Sequence, residues 1–405
     1  MITKMLSEEE SRHFGSLQFT PSRKAGLARL RNFAPLAGRE YAARRNYDFG
    51  PEFRGYVSAL SPWIRHRLIT EQDVLNAVQK HHSISQAEKF VQEVFWRTYF
   101  KGWLEQHPSV WTAYLSNLNR ALESGIQNQE YRDATQGRTG IDCFDHWVRE
   151  LVETGYLHNH SRMWFASIWI FTLRLPWELG ADFFLRHLMD GDPASNTLSW
   201  RWVAGLHTKG KTYLARANNI AKFTEGKFNP VGQLAENAEP LTEKAEHPSV
   251  ALSISDPMPK GDFLLLVTEE DCQIAELLPH EPAADMGLVA SCERSPLSLG
   301  KTAQNFAAGA IWNSCDCPSL ETTNWQDRIV AAAEAAGVKT VVTGFAPVGP
   351  VATKLYKSKL AEAGLQLHQI RRNYDSLAWP HATKGFFGLK RKIPTILGGL
   401  GYPLR

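Results

Sequence analysis

Residues 190–202 read DGDPASNTLSWRW, a stretch in which two aspartates flank a glycine and two tryptophans flank an arginine. Taken alone, Asp190 and Asp192 are typical of a turn or of a weak cation site. Two close carboxylates followed by two close indoles are unusual for a purely structural segment. Their meaning depends on which other stretches of the chain accompany them.

Length and composition define the class of protein. The chain has 405 residues, which favours two domains, each large enough to bury a core. Hydrophobic residues make up 43% and charged residues 21%, as in ordinary globular proteins. The formal net charge of +3 is too small to indicate a nucleic-acid binder by itself, although it allows a local basic groove. Binding partners must therefore be inferred from individual sites.

Cysteine usage and hydropathy indicate the compartment. Cysteines stand at positions 143, 272, 292, 315 and 317, too irregularly for a disulfide framework, and they fit a reducing cytosol. The CxC pair at 315–317 is read as two surface thiols rather than as a metal or cluster site, so we predict no metal. The start of the chain has no apolar signal segment, and no stretch has 18 uncharged apolar residues. We expect a cytoplasmic protein that does not contact a membrane.

The first part of the chain has helical periodicity. Apolar residues recur at spacings of three and four over residues 71–106, 142–153 and 161–175, and Thr70 is a candidate N-cap. No strand-like alternation of comparable length occurs before residue 230. The pattern predicts a helical domain.

The later part of the chain has a different texture. Residues 230–260 are rich in Pro, Glu, Ala and Ser, which is typical of a linker. Short apolar runs (DFLLLVT, GLVAS, KTVVTGF and LQLHQI) then alternate with helical patterns, and the second of these, GPVATKLYKSKLAEAG, is predicted to end at Gly364. We predict a helical domain at 1–230, a linker at 231–260 and a smaller α/β domain with a parallel-type sheet at 261–405.

Three further stretches concentrate the residue types found at 190–202. They are VSALSPWIRHRLIT at 57–70, EVFWRTYF at 93–100 and GRTGIDCFDHWVRELVETGYLHNHSRMWFAS at 137–167. Each is weak alone: Glu93 and Arg97, four residues apart, usually form a solvated salt bridge, and His158 is by default a satisfied core histidine. Their order and spacing carry more information than any one of them.

In order, the motifs LSP, ExxWR, TG-aromatic-x-HNxxRM, DGDxAxN and WxW resemble the catalytic domain of the DNA photolyase and cryptochrome family over residues 41–227. This resemblance implies an all-helical domain that binds FAD. Most of the family has an α/β domain before the helical one, whereas the α/β pattern here follows it. The chain is most similar to a bacterial class with this inverted topology, a C-terminal capping domain, no antenna pigment and a link to single-stranded DNA.

The resemblance also implies which residues contact FAD. Hydroxyls and amides at 58–61 match the family's phosphate-holding turn, Arg162 and Asp190 match an ion pair beside the flavin, and Asn196 matches the residue facing flavin N5. The full predicted cofactor set is Tyr41, Ser58, Ala59, Leu60, Ser61, Arg97, His158, Arg162, Asp190, Gly191, Asp192 and Asn196.

A substrate pocket and an electron path are implied in the same way. Glu93, Trp96, Asn159, Met163 and Trp202 match positions that line the family's pocket for a cyclobutane pyrimidine dimer, where Glu93 is the polar group that meets the dimer. The predicted catalytic set is Glu93, Asn196, Trp200 and Trp177, of which the two tryptophans match a chain that passes electrons to photoexcited flavin. Trp164 and Trp169, which match no motif, are read as core residues that have the chemistry to substitute in this chain.

The resemblance leaves two functions open. The first is a light-dependent deoxyribodipyrimidine photo-lyase, a carbon–carbon lyase, in which an electron from excited reduced FAD splits a flipped-out dimer. Its expected partner is UV-damaged DNA, preferably single-stranded, and we expect a monomer. The alternative is a cryptochrome-type blue-light sensor, which has no need for the complete pocket formed by Glu93, Trp96 and Met163.

Overall fold

Helices make up the first part of the chain, as predicted. The computed structural model describes residues 17–124, 128–315 and 317–402. The α-helices of this part are α1 (Arg23–Phe33), α2 (Arg39–Arg44), α3 (Ser61–Arg65), α4 (Glu71–Gln79), α5 (Glu88–Gln106), α6 (Ser109–Glu123), α7 (Gln129–Gln136), α8 (Asp142–Thr154), α9 (Asn159–Ser167), α10 (Trp177–His187), α11 (Pro193–Val203) and α12 (Ala217–Phe223). None of the helices in the described ranges is long and apolar enough to cross a membrane.

Local sequence signals explain where several helices begin. Thr70 caps α4, since its hydroxyl accepts a hydrogen bond from the Asp73 amide while the Asp73 carboxylate accepts one from the Thr70 amide. Asp192 caps α11 by accepting from the Ser195 amide at 2.8 Å, and Pro193 occupies the first helical position. The second aspartate of DGD is therefore the start signal of the helix that carries both tryptophans of the stretch.

Some predicted helices differ in extent from those observed. The single helix predicted at 71–106 is two, because Ser83 and Gln86 bond each other's backbone amides between α4 and α5. The pattern at 161–175 is α9, which begins earlier, followed by a π-helical turn at Ile168–Thr172. The helix predicted to end at Gly364 ends at Tyr356, and Leu360 then turns inward to pack under the sheet.

The later part is a five-stranded parallel sheet with helices. Its elements are β1 (Leu264–Thr268), β2 (Ala284–Val289), α13 (Lys301–Trp312), β3 (Ser319–Glu321), α14 (Trp325–Ala335), β4 (Thr340–Gly344), α15 (Pro350–Tyr356), β5 (Gln366–Ile370), α16 (Asn373–Ala378), α17 (Phe386–Lys390) and α18 (Ile393–Gly399). The strand order is β3-β2-β1-β4-β5, and β1 pairs Leu264 with Ala284 on one side and with Val341 on the other. The predicted combination of a helical region and a smaller α/β region is confirmed.

Strand β1 shows how the two regions meet. Leu265 and Val267 pack in a core shared with the helical region, whereas Leu264 and Leu266 point to the opposite face, against α14 and α15. One face of the sheet is thus covered by the helical region, which comprises α1 to α12. The residues that follow β1, at 269–271, are buried where the two regions meet. We call the charged residues that lie where the helical region and the α/β region meet the junction.

Two features of the α/β region were not predicted. Strand β3 is too short to produce a recognisable pattern. Cys315 and Cys317, predicted to be separate surface thiols, are joined by a disulfide, and their Cα atoms are 5.0 Å apart.

Candidate cofactor and substrate site

Ser58 and Ser61 lie on a tight turn that leads into α3. Both are partly exposed, and Ala59 between them has a left-handed φ of 49°. The buried guanidinium of Arg29 on α1 donates to the carbonyls of residues 54, 57 and 58 at 2.6–2.8 Å. Leu60 is fully buried. Arg29 therefore holds the turn through its backbone carbonyls, and both serines remain partly exposed.

Tyr41 lies in the same buried core as Ala59 and Leu60 of this turn. Its ring packs edge-on against Phe33 and Phe90, at 5.8 Å and 5.2 Å between ring centroids. Burial, followed by the nearby carboxylate of Glu93, raises the pKa of the Tyr41 hydroxyl, which stays protonated. Tyr41 is positioned as a hydrogen-bonding group in an apolar wall.

Helix α5 presents Glu93, Trp96 and Arg97 on one partly exposed face, between buried Val94 and Phe95. The Nη1 atom of Arg97 is buried and has no hydrogen-bond partner among the described residues. An unpartnered buried guanidinium nitrogen is costly unless another group meets it.

Each of the other two α5 side chains on this face has a partner. The Glu93 carboxylate accepts a hydrogen bond from Arg45 Nη1 at 2.5 Å. Burial raises the pKa of Glu93, although the Arg45 charge opposes the shift. The Trp96 ring stacks on Phe386 of α17, with centroids 3.8 Å apart and planes at 12°.

His158 caps α9 and fixes its start. Its Nδ1 accepts from the His160 amide at 3.1 Å, so the ring proton is on Nε2, which donates to the Arg45 carbonyl. Burial lowers the pKa of His158 to about 4, so the imidazole is neutral at physiological pH. Along the same helix, Asn159 is exposed and Met163 is partly exposed.

The two carboxylates of DGD are buried and held ionised by cations. Asp190 accepts from Arg162 at 2.9 Å, and the charges of Arg162 and Arg97 outweigh the effect of burial and lower its pKa. Burial also acts to raise the pKa of Asp192, but the charges of Lys101, Arg97 and Arg65 outweigh it and lower that pKa. The Asp190 Oδ1 atom is buried without a hydrogen-bond partner among the described residues.

Gly191 between them cannot be replaced without disturbing this arrangement. An added Cβ would lie 2.9 Å and 3.0 Å from the carbonyl oxygens of Leu185 and Leu188. The carbonyl oxygen of Gly191 accepts a hydrogen bond from Arg65 Nε at 3.0 Å. The glycine permits the close turn that places the two carboxylates side by side.

Helix α11 separates its functional candidates by burial. Asn196 is buried, and its amide nitrogen donates to the Ala181 carbonyl at 2.8 Å, which leaves the side-chain oxygen for another partner. Trp200 is buried, and its indole nitrogen has no hydrogen-bond partner within the part of the chain that the structure describes. Trp202 is partly exposed and stacks with Tyr213 at 5.6 Å between centroids.

The two tryptophans predicted to pass electrons are not in ring contact. Trp200 lies edge-on to Trp169 at 6.2 Å between centroids, whereas Trp177 lies next to Tyr114 at 5.7 Å. Trp169, which was read as a core residue, is thus the tryptophan that adjoins Trp200.

Sequence reasoning missed the residues that connect this site to the α/β region. Arg65 donates to both carboxylate oxygens of Glu270, at 2.7 Å and 3.0 Å, and Lys101 lies 3.8 Å from Asp192 and 3.7 Å from Glu270. A signal was present, since the acidic run EED at 269–271 directly follows the buried strand β1. Buried carboxylates at a strand end require cations from elsewhere in the fold.

Known proteins share the helical part of this arrangement. Residues 90–242 match the family described as the FAD binding domain of DNA photolyase. The helical region is therefore similar to the FAD-binding domain of DNA photolyases over those residues. Most of the residues predicted to contact cofactor or substrate, from Glu93 to Trp202, lie inside the matched range, whereas Tyr41 and the serine turn precede it.

Individual relatives match over similar lengths. A deoxyribodipyrimidine photo-lyase of Synechococcus sp. is 29% identical over 218 residues, which are 52% of this chain and 44% of that protein. One of Neurospora crassa is 30% identical over 243 residues, 56% of this chain and 37% of that protein. The crystal structure of a cryptochrome from Synechocystis sp. aligns with a TM-score of 0.44 and 25% identity, over 52% of this chain and 45% of that one. The chain spans less than half the length of these relatives.

The residues of the site fit FAD chemically. Arg97 Nη1 and Asp190 Oδ1 are a donor and an acceptor, both buried without partners among the described residues, in the domain that matches the FAD-binding family. The flavin edge offers acceptors and donors of the complementary kind. The serine hydroxyls of the 58–61 turn and the cations around Asp190 suit a dianionic pyrophosphate and a reduced flavin.

Proposed function

We propose that the protein is a light-dependent deoxyribodipyrimidine photolyase that binds FAD and splits cyclobutane pyrimidine dimers, preferably in single-stranded DNA and without an antenna pigment. The observation that carries the proposal is the face of α5, where Glu93, Trp96 and Arg97 are partly exposed beside the ion pair of Arg162 with the buried Asp190. A flavin contact and a pyrimidine contact adjoin on one helix.

The cofactor side of the site is proposed to work by binding and orientation. When bound and reduced, FAD supplies the light-driven electron that starts cleavage of the dimer. Arg97 donates to the flavin from its unpartnered Nη1 atom, and Arg162 remains fixed by Asp190. The positive charge of Arg162, Arg97 and Lys101 around two carboxylates favours an anionic reduced cofactor.

The substrate side is proposed to hold two pyrimidines outside the base stack. Trp96 and Trp202 offer aromatic faces, and Met163 and Asn159 complete the walls. Glu93 is proposed as the polar group that hydrogen-bonds the dimer; partial burial raises the pKa of its carboxyl, and the charge of Arg45 opposes that shift. A single strand is preferred because extruding its bases breaks no base pairs.

Repair of a defined dimer tests the proposal. Protein loaded with reduced FAD is given oligonucleotides carrying one thymine dimer, single- and double-stranded, under blue light and in darkness. We expect loss of the dimer only in the light, and faster in the single strand. Flavin binding with no repair in either substrate would leave the sensor as the better interpretation, and a flavin-free protein would overturn both.

One variant tests whether Glu93 acts in dimer repair rather than in folding or flavin binding. We expect Glu93→Gln to lower dimer repair by about 10- to 100-fold, the range for a lost hydrogen bond involving a charged group, with flavin retention unchanged. Glu153→Gln, on the exposed side of α8, is the matched control and should repair as the parent does. Equal repair by Glu93→Gln and its parent would remove Glu93 from the reaction.

A further inference from the structure

A basic groove lies beside the candidate substrate site, in the last part of the α/β region. It has a volume of about 390 Å³ and is formed by residues 380–392, among them Lys384, Phe387, Arg391 and Lys392. The three cations are exposed, and none of them has a carboxylate within 4 Å in the described ranges. Phe387 is 68% exposed. We propose that this groove binds the sugar-phosphate backbone and one unpaired base of a single-stranded nucleic acid.

The groove is firmly connected to the helix that carries the substrate candidates. Phe386 is buried and stacks on Trp96, while Phe387, the next residue, points outward with its ring centroid 6.1 Å from that of Phe386. Lys390 forms an ion pair with Glu88 of α5 at 3.0 Å. Helix α17 is thereby attached to α5 at two points, and one of its aromatic rings packs on Trp96 while the other lines the groove.

The chemistry of the groove selects a single strand over other polyanions. Unpaired cations along a groove attract a phosphate backbone, and an exposed ring beside them offers a stacking surface that only an unpaired base can use. None of the nine residues that form the groove is acidic. The charge of the whole chain is only +3, so this local concentration of cations is not a consequence of general basicity.

The position implies a continuous path for one strand. A strand whose dimer enters the pocket beside Trp96 passes its flanking nucleotides over Phe387 and the three cations. This inference rests on the proposed function, because it takes the Trp96 face as the dimer site. It adds a second contact region, supplied by the α/β region rather than by the helical one.

Binding of an undamaged strand tests the groove independently of repair. The full chain is titrated with a labelled oligothymidine in darkness, over a series of salt concentrations. For the triple variant K384A/R391A/K392A we expect up to about 100-fold weaker binding at 0.1 M salt and a slope of log affinity against log salt that is shallower by about 2. For Phe387→Ala we expect about 5- to 150-fold weaker binding.

Matched variants control for charge and for exposed aromatic area. K339A/K357A/K359A removes three exposed lysines that do not line the groove, and Tyr356→Ala removes a ring that is 90% exposed. Both should bind oligothymidine as the parent does. If the groove triple variant binds oligothymidine as tightly as the control triple variant does, the proposal is wrong. It is also wrong if the groove triple variant loses binding to phosphatidylserine vesicles while keeping its affinity for DNA.

Repair of a thymine dimer dinucleotide separates the two proposals. This substrate has no flanking nucleotides for the groove to bind, so the groove variants should repair it as the parent does. If no protein repairs it but the variants still lose oligothymidine binding, the photolyase proposal fails and the groove stands. If repair is intact and oligothymidine binding is unchanged in the variants, the groove fails alone.

Discussion

Two arginines, one at the junction and one in the candidate site, differ in how their guanidinium groups are paired. Arg65, at the junction, donates to two oxygens of Glu270 and to two backbone carbonyls, and it is almost completely buried. Arg97, in the site, is partly exposed, has no ion pair within 4 Å in the described ranges, and has a buried nitrogen without a partner. The chain itself supplies partners for the first arginine, and we propose that the second meets a bound molecule.

The difference teaches how to distinguish structural from functional charge in this fold. Cations of the helical region meet carboxylates of the α/β region at the junction, as in the contacts of Arg67 with Asp271 and Asp375. Such pairs give little net stability when complete but are costly to break. A charge in the candidate site should instead affect ligand binding more than folding.

The largest expected effect comes from breaking the junction. Asp271 is 1% exposed and accepts from Arg372 at 2.6 Å and 2.8 Å and faces Arg67 at 3.4 Å. Asp271→Asn leaves two buried guanidinium groups without their shared carboxylate, so we expect a loss of about 3–5 kcal/mol in the free energy of unfolding. Chemical denaturation measures it. Asp133→Asn, which alters an exposed pair with Arg138, should leave the denaturation midpoint unchanged.

A smaller loss of stability and a larger loss of flavin are expected at the site. In Asp190→Asn the Arg162 partner is 23% exposed, so water compensates part of the lost contact. We expect FAD affinity to fall by about 10- to 100-fold, since a charge that fixes Arg162 is removed. Flavin fluorescence titration measures the FAD affinity, and chemical denaturation of the flavin-free protein measures the free energy of unfolding. If Asp190→Asn destabilises the protein as much as Asp271→Asn and keeps its flavin, the contrast between the two regions is wrong.

A third prediction uses pH. The pKa of His158 is lowered by burial to about 4 in the folded protein, against about 6.5 when unfolded. The contribution of His158 to the free energy of unfolding is therefore fully present above pH 6.5. It is lost as the pH falls toward 4, because only the unfolded chain takes up the His158 proton in that window. His158→Asn keeps an N-cap acceptor but does not titrate. The variant should take up about one proton fewer on unfolding at pH 5, measured from the slope of stability against pH.

The control for that prediction lies in another buried histidine. The pKa of His187 is also lowered to about 4 by burial, followed by the Arg186 charge, and His187 lies on α10 rather than in the cap of α9. If His158→Asn leaves the slope unchanged while His187→Gln reduces it, the acid sensitivity belongs to His187 and not to the cap of α9.

The helical region was predictable because its signals are local. DGD is a cap and a turn, ExxWR is one face of a helix, and HNxxRM is a capped helix start, so each motif specifies its own geometry within a few residues. The role assignments within these motifs remain predictions.

The junction was not predictable because its pairs join distant segments. Arg65 and Glu270 are 205 residues apart, and no pattern in either segment names the other. The acidic run after β1 indicated that cations were needed but not which ones. The neighbours of Trp200 were missed for a similar reason: Trp169 reaches it through the packing of α9, its π-helical turn and α11, which spacing along the chain does not specify.

The smallest expected effect tests that last difference. Trp169 adjoins Trp200 at 6.2 Å, whereas Trp177 has no ring contact with Trp200 in the described ranges and leads instead to Tyr114. If electrons reach bound flavin through Trp200, Trp169→Phe should slow light-driven flavin reduction by an external thiol more than Trp177→Phe does. Both replacements keep an aromatic ring in the core, so the denaturation midpoint of each variant controls for packing losses. If Trp177→Phe slows flavin reduction more than Trp169→Phe does, ring contact does not determine the path of the electron. Trp177 would then be the partner of Trp200, and Trp169 would be a core residue.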